Sequence, residues 1–334
     1  MTNAEYYSEY AGLRRKLAQL TLSERKKLLE VYTEAAKQAG EVLKSTLTRG
    51  LSSLTAQRWQ DIERQLYESA QLIADYTDQS VKQTLSTGFS YAADIEKSYI
   101  TSAAEIAGVS LTGLSSVYAG INNKLITNVA LNVYNGVGYS TRVWGKYNAA
   151  GQPIGVYGDW LDKVRSLTSA GIAQGRDPVA IARDLQTYVR GGVQTIGRWG
   201  ELKPGTARYV ARLGSAGVDY RALRLVRSEL YRGIQDGAVE AGEANPACDG
   251  TYDWVLQSGR EDWPCECPTL AAGGPYKANE VPDYPHPSCC CIVRPRMTDR
   301  ATFLQSLKDY ANGVDSAGAR GIEEWSQKYG VSVE

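Results

Sequence analysis

The chain has 334 residues, of which 37 are basic and 37 acidic, so its formal net charge at pH 7 is zero. A neutral chain has no overall field to draw it onto nucleic acid or an anionic membrane, so any such contact has to come from a local patch. Hydrophobic residues make up 43% of the sequence, which is typical of a globular protein and argues against a largely disordered chain.

No stretch of the sequence predicts a transmembrane helix. Such a helix needs about 18 or more consecutive apolar residues, and no run approaches that length. The start of the chain, Met1 to Tyr10, is polar and acidic, unlike a secretion signal. We therefore expect a protein that folds in the cytoplasm and has no membrane contact. In that compartment clustered cysteines hold metals more often than they form disulfides.

Long amphipathic helices are predicted from Ala4 to about Asn135. Thr21 and Glu24 have the spacing of a capping box, and the apolar periodicity behind them continues until Gly50. A second helix is predicted from about Leu54 to Leu85, with one apolar and one charged face. Helices of this length cannot bury an apolar stripe alone, so we expect a hairpin, a bundle or packing against other subunits.

The glycine-rich and proline-rich stretch Asn148 to Gly158 is the predicted domain boundary. Two helices, Trp160 to Ala173 and Asp177 to Leu185, are predicted to form a short hairpin behind it. A hairpin that reads DNA should carry basic or amide side chains at the start of its second helix. Val179, Ala180 and Ile181 stand there instead, so we expect no DNA readout by this hairpin.

The remaining elements are shorter. A helix is predicted from Val218 to Ala241, strands at Tyr252 to Leu256 and Ile292 to Arg294, and a helix from Asp299 to Tyr310. A polar tail follows, with one more possible helix near Ile322 to Tyr329. The predicted fold is mainly α, with a long N-terminal helical region and a helical and small α+β C-terminal module that carries a cluster of cysteine and histidine.

Five of the six cysteines and the single histidine fall between Cys265 and Cys291. Zinc is usually held by two short ligand pairs separated by a loop that the metal closes. The candidate metal ligands are Cys265, Cys267, His286, Cys289 and Cys291. Because alternate residues of a strand share a face, Cys289 and Cys291 can point at one ion while Cys290 faces away.

Two other interpretations of the cluster stay open: a disulfide such as Cys267 to Cys291, and free packed thiols. The Cys265 to Cys267 spacing is tighter than the Cys-x-x-Cys of common zinc ribbons. A catalytic zinc is disfavoured because one histidine cannot build a His-Glu-x-x-His helix. Cys248 lies outside the cluster and is predicted to be a packed thiol.

A set of residues around the cluster has a recognisable order. Arg227-Ser228-Glu229 lies on a predicted helix, Trp254 lies in a strand, Asp262 precedes the first cysteine pair, and His286-Pro287-Ser288-Cys289-Cys290-Cys291 closes the pattern. With the hairpin before it, the segment from about 155 to 296 resembles the phage Mu F-like minor head proteins, also called head morphogenesis proteins. The chain departs from that pattern in its tighter first cysteine pair and in Cys290, which stands where the family has arginine.

The resemblance implies a domain organisation and partners. It divides the chain into a helical assembly region (1–147), a head morphogenesis domain (155–297) whose Cys/His module spans 248–296, and a helical tail (298–334). Arg227, Glu229, Trp254 and Asp262 would be structural, with Arg227 and Glu229 tying their helix to the module. The protein would be a low-copy virion component in the head near the portal, assembled in the host cytoplasm. Its partners would be the portal protein and the major capsid or scaffold protein, within a multi-subunit assembly.

The sequence leaves two other functions open. A DNA-associated internal protein that leaves the head with the genome could use basic groups such as Arg14-Arg15-Lys16, Arg25-Lys26-Lys27 and the span Arg221 to Arg232. An enzyme is not expected, because the sequence has no G-x-S-x-G, P-loop or His-Glu-x-x-His motif. Tyrosine outnumbers phenylalanine by 22 to 2, and tyrosine-rich helices fit assembly surfaces.

Overall fold

The computed structural model of the protein describes residues 1–47, 56–131, 146–147, 149, 153–155, 220–257, 265–285 and 289–334, with some helical side chains omitted. In these ranges the helices are α1 (Asn3–Leu47), α2 (Ala56–Ala107), α3 (Leu114–Leu131), α4 (Tyr220–Glu243), α5 (Cys267–Gly273), α6 (Arg300–Ala311) and α7 (Ala317–Tyr329), with a 3-10 turn at Ala278–Glu280. The strands are β1 (Leu111–Thr112), β2 (Lys146–Tyr147), β3 (Pro153–Gly155), β4 (Cys248–Val255), β5 (Tyr276–Lys277), β6 (Ile292–Met297) and β7 (Ser332–Val333). The predicted mainly α fold with a small strand-containing C-terminal module is confirmed.

Within the described ranges, no helix combines the length and apolar character needed to cross a bilayer.

The N-terminal helices differ from the prediction in two places. The capping box at Thr21 and Glu24 is wrong, because α1 runs continuously through both residues; no glycine or proline interrupts the chain between Gly12 and Gly40. Glu24 instead accepts hydrogen bonds from Ser80 (2.5 Å) and Lys27 (2.8 Å). The second helix extends beyond Leu85 to Ala107, and this stretch carries buried side chains such as Phe89 and Tyr99.

The chain forms two compact units, one built from residues 1–20, 82–131 and 227–334 and the other from 21–81 and 132–226. The predicted domains 1–147, 155–297 and 298–334 follow chain order, whereas these units cut across it. The reason is that the apolar faces of α1 and α2 are buried against elements distant in sequence. One core cluster of the first unit includes the following side chains: Tyr6, Tyr10, Leu13, Leu17, Tyr99, Leu230, Ile234, Cys290, Phe303 and Leu307.

The C-terminal module of the first unit contains a three-stranded antiparallel sheet in the order β5-β4-β6. The predicted strands at 252–256 and 292–294 are confirmed as parts of β4 and β6, and β5 was not predicted. Trp254 on β4 is paired with Val293 on β6, and Tyr252 is paired with Tyr276 on β5. Tyr252 and Trp254 are both buried, as expected for alternate residues on one face of a strand.

The last segment, 298–334, is a packed part of the first unit, and its two predicted helices are present as α6 and α7. Asp299 caps α6 by accepting a hydrogen bond from Thr302 N, and Ser316 caps α7 by accepting one from Ala319 N. Helix α7 ends at Gly330, whose φ of 65° suits glycine. Strand β7 then pairs with β1, with Leu111 opposite Val333.

Predicted elements between residues 148 and 219 lie almost entirely outside the described ranges. This applies to the helices Trp160 to Ala173 and Asp177 to Leu185, and so to the hairpin they would form. Within the predicted boundary segment the structure describes β3, which pairs with β2 in an antiparallel hairpin of the second unit.

Candidate metal centre

Three cysteine thiols converge in the C-terminal module. The Sγ atoms of Cys267, Cys289 and Cys291 all lie within 4.8 Å of one another, and those of Cys267 and Cys289 are 3.4 Å apart. Their exposed fractions are 3%, 1% and 7%. The three residues therefore form a buried cluster, hereafter the thiol cluster, that could hold a metal ion.

Local structure places each sulfur. Cys267 is the first residue of α5 and is followed by Pro268, which is favoured at the start of a helix because its missing N–H would have no partner there. Cys289 and Cys291 immediately precede β6 and alternate, so both side chains reach one side. Cys290 between them packs into the larger core that contains Tyr6 and Ile234. Alternation therefore places the sulfurs of Cys289 and Cys291 in the thiol cluster and the sulfur of Cys290 in the opposite core.

Hydrogen bonds and packing hold the loop that brings these segments together. The Tyr284 hydroxyl donates to the carbonyl oxygen of Cys289 at 2.7 Å, and the Tyr276 hydroxyl donates to that of Leu270 at 2.6 Å. Tyr252, Trp254 and Val293 from the sheet pack against the sulfurs. The cluster is therefore shielded from water by the sheet on one side and by the loop on the other.

The three thiols do not behave as independent acids. A hydrogen bond from Cys289, together with a backbone N–H from Gln257, lowers the pKa of Cys291 to about 5 against the opposing effect of burial. The same hydrogen bond raises the pKa of Cys289, and burial raises that of Cys267 to about 12. Metal ions bind cysteine as the thiolate, so a cation held between the three sulfurs would favour loss of their protons.

The sulfur spacing fits metal ligation. Two thiolates on a tetrahedral zinc, each about 2.3 Å from the ion, are separated by about 3.8 Å, and the Sγ atoms of Cys267 and Cys289 are separated by 3.4 Å. A disulfide would need about 2.05 Å. All six cysteines are free thiols in the structure, so the alternative Cys267 to Cys291 disulfide is not formed.

The other predicted ligands are placed differently. Cys265 is half-buried and packs at the edge of the thiol cluster, but its sulfur is not one of the three that converge. His286 lies outside the described residues. Cys248 packs between two cores, where burial raises the pKa of its thiol to about 12.

Of the four residues predicted to be structural, the structure describes the side chains of two, Trp254 and Glu229. Trp254 is buried against the thiol cluster, and a hydrogen bond from its side chain helps to lower the pKa of Cys291. Glu229 is buried on α4. The side chain of Arg227 and the whole of Asp262 fall outside the described part of the chain, so the predicted tie between Arg227 and Glu229 stays a prediction.

Sequence reasoning missed one residue beside the cluster. Arg14 on α1 donates from Nη2 to the carbonyl oxygens of Val255 (2.8 Å) and Leu256 (2.7 Å) at the end of β4. Burial lowers the pKa of Arg14, and the cysteine thiols raise it by their charge. The sequence grouped Arg14 with Lys16 as a possible DNA patch, because no local signal links it to a strand 241 residues away.

The fold and site together define a mainly helical protein with a buried cluster of three thiols that could hold a metal ion. Comparison with protein-family models, curated proteins and solved structures finds no match for the chain. The chemistry and placement of the cluster are therefore the observations on which a functional proposal can rest.

Proposed function

We propose that this chain is a bacteriophage minor head protein, a non-enzymatic component held near the portal, and that its thiol cluster binds a structural zinc ion. The observation that carries the proposal is the convergence of Cys267 with Cys289 and Cys291 in a buried site. These cysteines, with Trp254, are motif residues on which the resemblance to head morphogenesis proteins rests, and they pack in one cluster.

Zinc is the metal that this ligand set favours. Soft thiolates select zinc or copper(I) over the hard cations, and zinc tolerates the tetrahedral geometry that a compact loop can supply. A fourth ligand would come from Cys265 or His286, the two remaining candidates. Three thiolates on a divalent ion leave one negative charge, which the nearby guanidinium of Arg14 would offset.

Burial supports a structural role over a catalytic one. Catalytic zinc keeps a coordination position open to water and substrate. The three converging cysteines are at most 7% exposed, so a substrate could not reach an ion between them without local opening. A metal here would instead close the loop that connects α5 to β6, as structural zinc does in small modules.

Metal analysis tests the site. Protein purified without chelators should contain one zinc per chain, with six titratable thiols in denaturant. Cys289→Ala should lose the zinc, whereas the matched control Cys290→Ala, a neighbouring buried cysteine aimed at the other core, should retain it. Wild-type protein without metal, or equal zinc loss in both variants, would count against a metal site at the thiol cluster.

The assembly role needs a separate experiment. In particles of the phage that encodes the chain, mass spectrometry should detect it in the head at far fewer copies than the major capsid protein. Deleting its gene should yield defective heads, and the purified protein should bind the portal protein. Absence from particles, with virion composition unchanged by the deletion, would refute this role whether or not zinc is bound.

A further inference from the structure

A carboxylate is buried in the first unit, outside the thiol cluster. Glu96 on α2 is 0% exposed. Its Oε1 accepts hydrogen bonds from the hydroxyls of Tyr6 (2.6 Å) and Tyr10 (2.5 Å) on α1. Its Oε2 accepts one from the Asn245 side-chain amide (2.6 Å), in the turn between α4 and β4. Glu96 thus joins α1 and α2 to the turn that leads into the sheet.

The groups around Glu96 are neutral near pH 7. The titratable residues facing it are Tyr6 and Tyr10 on α1, Tyr118 on α3, and Cys248 and Tyr252 on β4, and burial raises the pKa of each. The Asn245 side-chain amide, which donates to Glu96, also lies 3.8 Å from Met297 Sδ. In the described part of the chain no lysine or arginine forms an ion pair with Glu96, so nothing there balances its negative charge.

Burial therefore shifts the pKa of the Glu96 carboxyl group. Desolvation raises the pKa of Glu96 from an ordinary 4.5 to about 7, while the hydrogen bonds from Tyr10, Tyr6 and Asn245 lower it. The folded protein holds this proton more tightly than the unfolded chain. The resulting stabilisation is complete below about pH 4.5 and is lost as the pH rises through about 7.

The start of α1 is the segment that can move when Glu96 loses its proton. The rings of Tyr6 and Tyr10 are fully buried beside Glu96, so lifting this segment would admit water to the carboxylate. Side chains join it to the rest of the unit, such as Asn3 to Thr298 (3.0 Å) and Arg14 to Val255. No backbone–backbone hydrogen bond among the described residues connects the segment to another element, so it is docked by side-chain packing and side-chain hydrogen bonds, whereas the sheet is also joined by its backbone ladder.

We propose that Glu96 is a proton-controlled latch for the first part of α1, residues 3–17. While Glu96 is neutral, no charge is buried beside Tyr6 and Tyr10, and their rings stay packed in the core. Loss of the proton places an uncompensated charge in the core, which is relieved when the segment detaches and the carboxylate is hydrated. The latch is independent of metal in the thiol cluster and of the head-protein role.

Hydrogen exchange measured by mass spectrometry on the full chain tests the latch. After correction for intrinsic exchange rates, protection of peptides covering residues 3–17 should fall about tenfold from about pH 5.5 to about pH 8, while peptides from β4 and β6 keep theirs. Glu96→Gln should abolish this pH dependence. Glu105→Gln, an exposed carboxylate on the same helix, should leave it intact.

A second measurement covers the case in which Glu96→Gln does not fold. Infrared spectroscopy of the wild type should show a buried carboxylic acid carbonyl band that disappears near neutral pH. Tyr10→Phe removes one donor to the carboxylate and should move this midpoint to higher pH. The latch is overturned if α1 protection in the wild type is independent of pH, if α1 and the sheet lose protection together, or if Glu96→Gln keeps the wild-type pH dependence.

Discussion

The guanidinium of Arg14 donates a 2.8 Å hydrogen bond to the backbone carbonyl oxygen of Val255. The first helix is thereby fastened to the end of the strand that packs against the thiol cluster. The same nitrogen also reaches Leu256, so a single side chain satisfies two carbonyl groups where β4 ends. This contact gives a direct way to measure how far the N-terminal helix stabilises the C-terminal module.

Arg14→Met should destabilise the first unit. Methionine keeps much of the aliphatic packing but removes the charged donor, and hydrogen bonds to charged groups contribute about 1.5–3 kcal/mol. We expect the free energy of unfolding in urea to fall by about 2 kcal/mol. Arg15→Met, the exposed neighbour, should change it by less than about 0.5 kcal/mol. Equal effects would show that the Arg14 contacts contribute nothing specific.

Metal removal should lower stability if the thiol cluster holds zinc. Binding of an ion only to the folded state adds its binding free energy to folding, so a strong chelator should lower the thermal unfolding midpoint of the wild type. Cys290→Ala should respond in the same way, and Cys289→Ala should not respond at all. A wild-type midpoint unchanged by chelator would contradict a structural metal.

Gly242→Ala should disturb the packing of α4 on the sheet. A Cβ at residue 242 would lie 2.7 Å from Pro295 Cγ and 3.0 Å from the Tyr252 ring and hydroxyl, and the proline ring cannot rotate away. Overpacking of this kind costs about 1–3 kcal/mol, measurable by urea unfolding. Gly321→Ala on α7 has no atom within 4 Å, so it should stabilise by up to about 1 kcal/mol. A shift of both unfolding free energies in the same direction would contradict steric crowding at residue 242.

Trp325→Phe should destabilise the contact between α7 and the end of α4. The indole Nε1 donates to the carbonyl oxygen of Ala244 at 2.8 Å in a buried setting, and the variant leaves that carbonyl unpaired at a cost of about 1–3 kcal/mol. Tyr329→Phe removes an exposed 3.0 Å hydrogen bond to Glu243, the adjacent residue. Since water can replace that bond, the free energy of unfolding of Tyr329→Phe, measured in urea, should change little. Equal losses of stability in Tyr329→Phe and Trp325→Phe would show that burial of the Trp325 hydrogen bond is not the cause.

The tyrosine content illustrates a limit of composition. An excess of tyrosine over phenylalanine is compatible with assembly surfaces or with a simple compositional preference, and it places no individual residue; Tyr6, Tyr10, Tyr99 and Tyr252 are fully buried. Tyr6 and Tyr10 use their hydroxyls to satisfy Glu96, and Tyr252 donates to the carbonyl oxygen of Val239. A buried phenol needs a partner, and only the packing of distant helices supplies one.

Local physics made much of the C-terminal module predictable. Alternation at Cys289, Cys290 and Cys291 predicted two sulfurs on one side and one on the other, and the structure has this arrangement. Capping at Asp299 and the turn residues Asn312 and Gly313 delimit α6 close to the predicted bounds. These features depend on residues within a few positions of one another, so the order of residues alone determines them.

The sequence by itself determined the helical character, the two main strands and the concentration of thiols near the end of the chain. The tertiary structure decided that Cys267 joins Cys289 and Cys291 without Cys265, that Arg14 reaches β4, and that Glu96 is buried with no ion-pair partner among the residues that the structure describes. It also decided that the two ends of the chain share one compact unit. The reason is physical: periodicity reports which face of an element is apolar, whereas the partner that covers that face is chosen by packing among segments far apart in sequence.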